Sequence, residues 1–340
     1  MSTAFRILMT GGQETPPNGS TASGVGVVTY DSAANTATYE VTVTGLDFGT
    51  VLGGPAQTAS PTDDVTSLHV HSENPGQPGP IVFGQIGPAE DITGVTFSAS
   101  INLNGSTTFK GRWEDTDPSS TTIDAFSSLL ATAPIGSSPA LYFNVHTSGF
   151  GAGEIRGQWV CIADDNANTV SGAGTADILP GLGGNDTVNG FGGNDRLLGG
   201  DNQDRLTGGN GVDTLNGGTG KDFLRGDAGA DLLIGAGGKD RFIFQAVTDS
   251  LPFARDQIAD FVPGIGELID VSAIDTNTGV GGDQAFVLVG SFGGNAGEAV
   301  LTYSAGPNQT TFELDQNGDG EADFSALING NQTAGVGFVL

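Results

Sequence analysis

Eight aspartates recur at an unbroken nine-residue interval: Asp177, Asp186, Asp195, Asp204, Asp213, Asp222, Asp231 and Asp240. Each has a glycine five residues before it (Gly172, Gly181, Gly190, Gly199, Gly208, Gly217, Gly226, Gly235) and a large apolar residue two after it (Leu179, Val188, Leu197, Leu206, Leu215, Leu224, Leu233, Phe242). A disordered glycine-rich linker has no reason to keep three residue types in phase. A short fixed period is the mark of a solenoid, in which each repeat buries its apolar residue only against its neighbours. The unit reads G-x-x-G-x-D-x-L-x: six residues make a turn, three make a short strand whose apolar side chain points inward, and two units complete one coil.

Glycine is needed where the turn takes φ > 0 or where successive coils approach too closely for a Cβ. Aspartate is needed because coils stacked about 4.8 Å apart present carboxylates and backbone carbonyls to an ion lying between them. Like charges about 5 Å apart repel by roughly 1–3 kcal/mol per pair, so such a ladder calls for a cation, and hard oxygen donors in a flexible turn select calcium. The eight turns place four along each edge with three gaps between them, room for about six calcium ions. Thr175 and Asn202 replace the second glycine of the unit and weaken the turns at Asp177 and Asp204.

Residues 172–242 resemble the RTX nonapeptide β-roll. Its pattern GGxGxDxUx stands here as Gly208-Gly209-Asn210-Gly211-Val212-Asp213-Thr214-Leu215-Asn216 and Gly217-Gly218-Thr219-Gly220-Lys221-Asp222-Phe223-Leu224-Arg225. The resemblance implies calcium-driven folding after secretion.

The length of 340 residues suffices for two or three domains with their own cores. The formal charge of −28 excludes nucleic acid as a partner and favours metal cations or basic surfaces. A single cysteine, Cys161, forms no internal disulfide, so cross-linking falls to calcium. The start, Met1-Ser2-Thr3-Ala4-Phe5-Arg6-Ile7-Leu8-Met9-Thr10-Gly11, lacks the apolar core of a signal peptide, and no stretch is long and apolar enough to span a membrane. Export is therefore expected by another address. RTX proteins typically use one-step type I secretion machinery that reads the C-terminus, and Gly337-Phe338-Val339-Leu340 resembles the apolar tetrad that closes many of them.

Residues 1–164 alternate apolar and polar residues with period two, as half-buried strands do. Tyr39, Val41 and Val43 oppose Glu40, Thr42 and Thr44, and Val95, Phe97, Ala99, Ile101 and Leu103 oppose Thr96, Ser98, Ser100 and Asn102. Ile123, Phe126, Leu129 and Leu130 are spaced for one short amphipathic helix. The pattern predicts an antiparallel β-sandwich with that helix inserted.

All three histidines fall in this region. His69 and His71 share a strand face while Leu68 and Val70 point to the core; Phe143 and Val145 take the core side of Leu141–Thr147, leaving Tyr142, Asn144 and His146 opposite. If the two strands are close, His69, His71 and His146 converge into a copper or zinc site, with Glu73 as a fourth ligand or a partner behind one. The same histidines serve equally as hydrogen-bonding structural groups. They are too few for a dinuclear copper–zinc site with a bridging imidazole.

Several motifs in order resemble the CHRD domain, named from chordin. They are Gly12-Gln13-Glu14-Thr15-Pro16-Pro17-Asn18-Gly19-Ser20, Gly45-Leu46, His69-Val70-His71 with Gly79-Pro80-Ile81-Val82-Phe83, Tyr142-Phe143-Asn144-Val145-His146-Thr147, and Gly153-Glu154-Ile155-Arg156-Gly157-Gln158. That resemblance covers nearly all of residues 4–162. It implies an extracellular setting and names no ligand.

From Asp240-Arg241-Phe242-Ile243-Phe244 onward, Asp256-Gln257-Ile258-Ala259-Asp260-Phe261-Val262-Pro263-Gly264 and Ile269-Asp270-Val271-Ser272-Ala273-Ile274-Asp275 resemble the C-terminal domain of serralysin-type proteases. No His-Glu-x-x-His occurs, so the protease is missing and a secretion and capping tail is what the resemblance implies. Its strands are expected to include Ala285-Phe286-Val287-Leu288-Val289 and Ala299-Val300-Leu301-Thr302-Tyr303, covering the last open coil. Asp315, Asn317, Asp319 and Asp323 stand like the first positions of a calcium loop, although Ala326 replaces the closing bidentate carboxylate; a tight hairpin turn explains the same residues.

The expected organisation is all-β: a CHRD-like sandwich (1–164), an RTX calcium-binding β-roll (165–242) and a β-rich serralysin-like cap and type I secretion region (243–340). Three functions stay open. One is a secreted, calcium-folded extracellular scaffold, a surface layer, matrix, filament or adhesin that self-associates or holds cell-surface components. Another is a copper- or zinc-dependent oxidative metalloprotein using the three histidines, with Tyr142 nearby. The last is a module binding an extracellular protein or glycan.

Overall fold

The computed structural model describes residues 1–14, 18–48, 65–73, 81–86, 98–101, 106–113, 123–151, 153–276 and 284–340, without the side chains of residues 67, 69, 81–86, 98, 101, 113 and 124. Val95, Phe97 and Leu103 of the expected strand, and Thr15, Pro16, Pro17, Gly79 and Pro80 of the quoted motifs, lie outside the described residues. The chain forms two compact units, Met1–Asp165 and Asn166–Leu340.

The first unit is built on β1 (Ser2–Thr10), β2 (Ser23–Asp31), β3 (Thr36–Thr44), β4 (Val65–Ser72), β5 (Ile81–Ile86), β6 (Ser98–Ile101), β7 (Ser106–Trp113), β8 (Leu141–Thr147) and β9 (Ile155–Asp164). They hydrogen-bond in the order β5-β4-β8-β9-β1-β2-β3-β7-β6, every pair antiparallel. In a flat sheet β3 and β8 would stand about 19 Å apart, four strand spacings. Yet the Tyr39 and Phe143 rings are 5.9 Å apart. The sheet therefore curls over until its two halves face each other, and the sandwich is one continuous sheet closed on its own core. That core includes Phe5, Ile7, Val41, Phe109, Val145 and Trp159, all fully buried.

The inserted helix is shorter than its apolar spacing suggests. A 3-10 turn at Ile123–Ala125 leads into α1 (Ser127–Ala131). Ile123 and Leu130 are buried, Phe126 packs against the core, and Leu129 stays exposed.

The second unit is a parallel roll of short strands: β10 (Thr169–Ser171), β11 (Ile178–Gly183), β12 (Thr187–Gly192), β13 (Arg196–Asp201), β14 (Arg205–Asn210), β15 (Thr214–Gly220), β16 (Phe223–Ala228), β17 (Leu232–Gly238) and β18 (Arg241–Ile243). From β10 to β16 each pairs with the strand 18 residues on, as Thr187 with Arg205 and Arg196 with Thr214 do, so alternate strands build two facing sheets. Leu179, Val188, Leu197, Leu206, Leu215, Leu224, Leu233 and Phe242 form the fully buried stack between them.

Beyond Phe242 the two sheets continue without the nine-residue period. One runs through β19 (Gln257–Ile258); the other runs through β20 (Leu268–Asp270). The remaining strands are β21 (Val287–Val289), β22 (Glu298–Ser304), β23 (Gln309–Asp315), β24 (Phe324–Asn329) and β25 (Phe338–Val339). The first sheet ends in the order β19-β24-β23-β22-β21, the second in β20-β25. Phe244, Phe261, Phe312, Phe324 and Phe338 meet edge to face over the last coil, which converts an open solenoid end into a closed aromatic core.

Candidate calcium ladders and a buried polar face

The aspartates of the nine-residue register fall into two ladders, one on each edge of the roll, because successive units alternate between the sheets. On one edge the backbone N–H of Asp177 donates to Asp195 Oδ1 (2.8 Å), Asp195 to Asp213 (2.7 Å), and Asp213 to Asp231 (2.8 Å). On the other, Asp186 donates to Asp204 (2.8 Å), Asp204 to Asp222 (2.9 Å) and Asp222 to Asp240 (2.9 Å). One oxygen of each of these six accepting carboxylates is thus spent on holding the coil before it. The second oxygen, Oδ2, of Asp195, Asp204, Asp213, Asp222, Asp231 and Asp240 is buried and accepts no hydrogen bond. Buried polar atoms without partners are rare and demand an explanation.

Their surroundings supply one. The Oδ2 atoms crowd the glycine five residues earlier: a Cβ on Gly190 would lie 2.3 Å from Asp195 Oδ2 and 2.5 Å from the Gly208 carbonyl of the next coil. A Cβ on Gly199 would meet Asp204 Oδ2 at 2.5 Å and the Gly217 carbonyl at 2.4 Å. Carboxylate and carbonyl oxygens from successive coils therefore converge where only glycine leaves space. The donors are all hard oxygens, some of them charged, which fits calcium and not a soft-ligand metal.

Two ladder positions escape the sequence register. The Asp231 N–H donates to Asp256 Oδ1 at 2.9 Å, and Asp256 Oδ2 is again buried without a partner. On the opposite edge Arg241 pairs with Leu268, which aligns Glu267 with Asp240. Asp256 and Glu267 are 0% and 1% exposed. Their spacings of 25 and 27 residues depart from the 18-residue coil repeat, and no glycine stands five residues before either; only the pairing of β19 and β20 returns them to the ladders. The turn at Asp204 keeps its geometry despite Asn202, which takes φ 80°, the left-handed conformation that asparagine tolerates. The turn at Asp177 likewise keeps its ladder bond despite Thr175.

Burial raises the carboxyls, and neighbouring rungs add to it. Asp195 and Asp222 are pushed up to about 6, Asp204 and Asp231 to about 7, Glu267 to about 7 and Asp256 to about 9. The backbone N–H groups oppose these shifts without cancelling them. The ladders are poised to hold either protons or cations.

The Asp315–Asp323 segment differs. Asp315 accepts N–H bonds from Gly318 and Gly320, Asp323 from Gln316 and Asn317, and Asn317 Oδ1 accepts the Asp319 N–H. Its side chains are engaged in shaping their own turn.

In the first unit the register of β4, β8 and β9 puts one polar face together. His71 stands opposite Tyr142, His69 opposite Asn144, Ser67 opposite His146, and Arg156 opposite Asn144 on the other side. The His71 ring stacks on Tyr142 (4.9 Å), the Arg156 guanidinium lies 3.3 Å from the same ring's centre, and His71 and His146 are 6.3 Å apart between ring centres. The His69 side chain lies outside the described residues, and no cluster of three metal-ligating side chains occurs among those described. His146 Nδ1 meets the Gly151 carbonyl at 3.0 Å, while burial holds its pKa below the ordinary value.

Sequence alternation marks this face as non-core; the structure buries it. Asn18 Nδ2 donates to the carbonyls of Gly153 and Glu154, and Ser20 Oγ and Thr147 Oγ1 donate to the two Glu154 oxygens at 2.6 and 2.5 Å. Asn144 Oδ1 and Glu14 both crowd Gly153, where a Cβ would be 2.7 Å from either. Three separate motifs are thus tied through Glu154 over Tyr142, Asn144 and Arg156, which are 2–4% exposed. In sequence Glu154 and Arg156 stand out only as motif members, since Asn18 and Ser20, which tie Glu154 down, sit more than a hundred residues away.

An acidic parallel roll with a closed aromatic end, attached to an antiparallel sandwich, defines the class of chain. Residues 159–340 match the Peptidase M10 serralysin C-terminal family, more than half of the chain, and the protein belongs to that family; residues 5–159 match the CHRD domain. Metallopeptidase AprA of Pseudomonas marginalis is 45% identical over 83 residues, 24% of this chain and 16% of that protein. Metalloprotease AprA of Pseudomonas entomophila (strain L48) is 39% identical over 90 residues, with the same two coverages of 24% and 16%. The chain thus spans about one sixth of the length of these relatives. Among solved structures, the AlgE6R3 subunit of the Azotobacter vinelandii mannuronan C5-epimerase aligns at 24% identity over 52% of this chain and 78% of that one, TM-score 0.23. The AlgE6R2 subunit of the same enzyme aligns at 24% identity over 52% and 90%, TM-score 0.22.

Proposed function

We propose that this protein is a secreted extracellular scaffold: a CHRD sandwich carried by a roll that folds on calcium after type I export and then self-associates or anchors to cell-surface or matrix components. The observation that carries the proposal is the row of buried Oδ2 atoms in two ladders, which a bound cation or a proton would satisfy. At low cytosolic calcium the ladders repel and the roll stays loose enough to thread an exporter. At millimolar external calcium the ions bridge successive coils, so binding and folding are one event. Asp256 and Glu267 add a gap to each edge, raising the capacity from about six ions to about eight.

Calcium added at pH 7.5 to the chelated, purified chain should produce cooperative β-structure and, at higher protein concentration, larger species in the analytical ultracentrifuge. Folding to a strictly monomeric product would remove the scaffold while leaving the calcium fold.

The 6.3 Å separation of the His71 and His146 rings, with His69 between them in register and Tyr142 stacked on His71, supports a second reading, a copper or zinc centre. Elemental analysis of gently purified protein decides it: one copper or zinc per chain, lost in His71→Ala, supports the centre, and none removes it.

A further inference from the structure

On the outer surface of the roll lies a trough of about 430 Å³, within the range of roughly 300–1,000 Å³ typical of small-ligand clefts. One wall is Phe191. The second position of the repeat takes positive φ, as in Gly200 (108°), Gly209 (110°) and Gly218 (98°), and Phe191 takes it too at 72°. An aromatic residue there is strained. The strain gains nothing from packing, since Phe191 is 60% exposed.

The floor is Gly209, which pairs with Phe191 on one side and Asp227 on the other; a Cβ on it would fall 2.1 Å from the Phe191 carbonyl oxygen. No side chain can rise there, so the ring faces Asp227 across two strand spacings, about 10 Å. The far wall is fixed and net acidic: Arg225 Nε and Nη2 meet Asp227 Oδ1 and Oδ2 at 2.7 and 3.1 Å, Nη1 donates to Gln245 Oε1 at 2.5 Å, and Asp249, which accepts the Gln245 and Ala246 N–H groups, adds a second carboxylate. Asn189 and Thr207 stand in the same cross-strand row as Arg225 and line the rim.

We propose that this trough binds a neutral pyranose unit of an extracellular polysaccharide. A sugar ring has an apolar C–H face that stacks on an exposed aromatic and an edge of hydroxyls that suits fixed amide, carboxylate and guanidinium groups. The wall holds Asp249 beside the Arg225–Asp227 pair and the chain carries −28, so uronates are disfavoured. The inference depends on the folded roll alone and leaves the histidine face aside.

The test is native affinity electrophoresis in millimolar calcium through gels containing a neutral glucan, mannan or galactan, or polygalacturonate. Wild type should be retarded by at least one neutral polymer and less by polygalacturonate. Phe191→Trp should keep the retardation. Phe191→Gly should weaken it at least tenfold while raising the calcium-loaded Tm, because glycine relieves the strained φ. Migration unchanged in all three neutral gels, stronger retardation by polygalacturonate, or full retardation of Phe191→Gly would overturn the proposal. Circular dichroism of the same samples separates this from the calcium fold: a folded roll that is not retarded sinks the saccharide site alone, and an unfolded roll in calcium sinks both.

Discussion

At the scale of single residues, each ladder aspartate is a compromise between two states of the roll. The Asp222 carboxylate is fully buried, with one oxygen on the Asp204 N–H and the other facing a gap between coils. Asp222→Asn keeps an acceptor for that N–H and removes the buried charge. It should therefore stabilise the chelated roll and weaken the calcium-loaded one, lowering calcium affinity about tenfold, or about 1.4 kcal/mol. Calorimetric titration and thermal unfolding with and without calcium read both signs; destabilisation in both conditions would contradict a cation-holding role. The glycines are equally specific. A Cβ on Gly208 would fall 2.4 Å from Asp213 Oδ2 and 2.8 Å from the Gly226 carbonyl, whereas one on Gly264 meets nothing within 4 Å. Gly208→Ala should cost about 1–3 kcal/mol in calcium and Gly264→Ala stay within about 0.5 kcal/mol of wild type, by thermal unfolding.

At the scale of elements, the ladders make the metal-free roll acid-stabilised. Carboxyls raised from near 4 in the unfolded chain to between about 6 and about 9 when folded bind more protons folded than unfolded. Their contribution is fully present below the unfolded value and is lost as pH rises through the folded values. Circular dichroism of chelated protein should thus show β-structure gained on acidification from pH 9 to pH 5, and calcium affinity falling over the same window. In Asp256→Asn the part of the transition above pH 7 should shrink. Stability that instead rises with pH in chelator would contradict the protonated-ladder account. The same elements show what the sequence makes legible. The coils follow from a strict period, because every rung repeats one local solution. Asp256 and Glu267 are hidden, because the chain leaves the roll between rungs and strand pairing alone returns them. In the first unit alternation identifies Leu68, Val70, Phe143 and Val145 as core. It does not reveal that the opposite face is covered too, since that cover comes from Asn18, Ser20 and Glu154 through contacts distant in sequence. Nor does alternation distinguish two sheets from one sheet curled over, which depends on long-range pairing order.

At the scale of the whole molecule, charge and architecture divide the labour. The formal charge of −28 opposes compaction. About six to eight bound calcium ions would offset roughly half of it, all within the second unit. The first unit needs no such help: its core is apolar, and its one cysteine is buried, with Sγ directed at the Ala133 carbonyl and its thiol pushed up to about 11 by burial. Stability should therefore be modular, with calcium governing Asn166–Leu340 and leaving Met1–Asp165 folded without it. Amide hydrogen exchange on the full chain at pH 7.5, with millimolar calcium and then with chelator, tests this most directly. The expected result is strong protection at Asp177, Asp195, Asp204, Asp213, Asp222 and Asp231 in calcium, lost in chelator, while β1, β3, β8 and β9 stay protected in both. Equal protection of these aspartate amides with and without calcium would show that a cation between the coils is not what folds this roll.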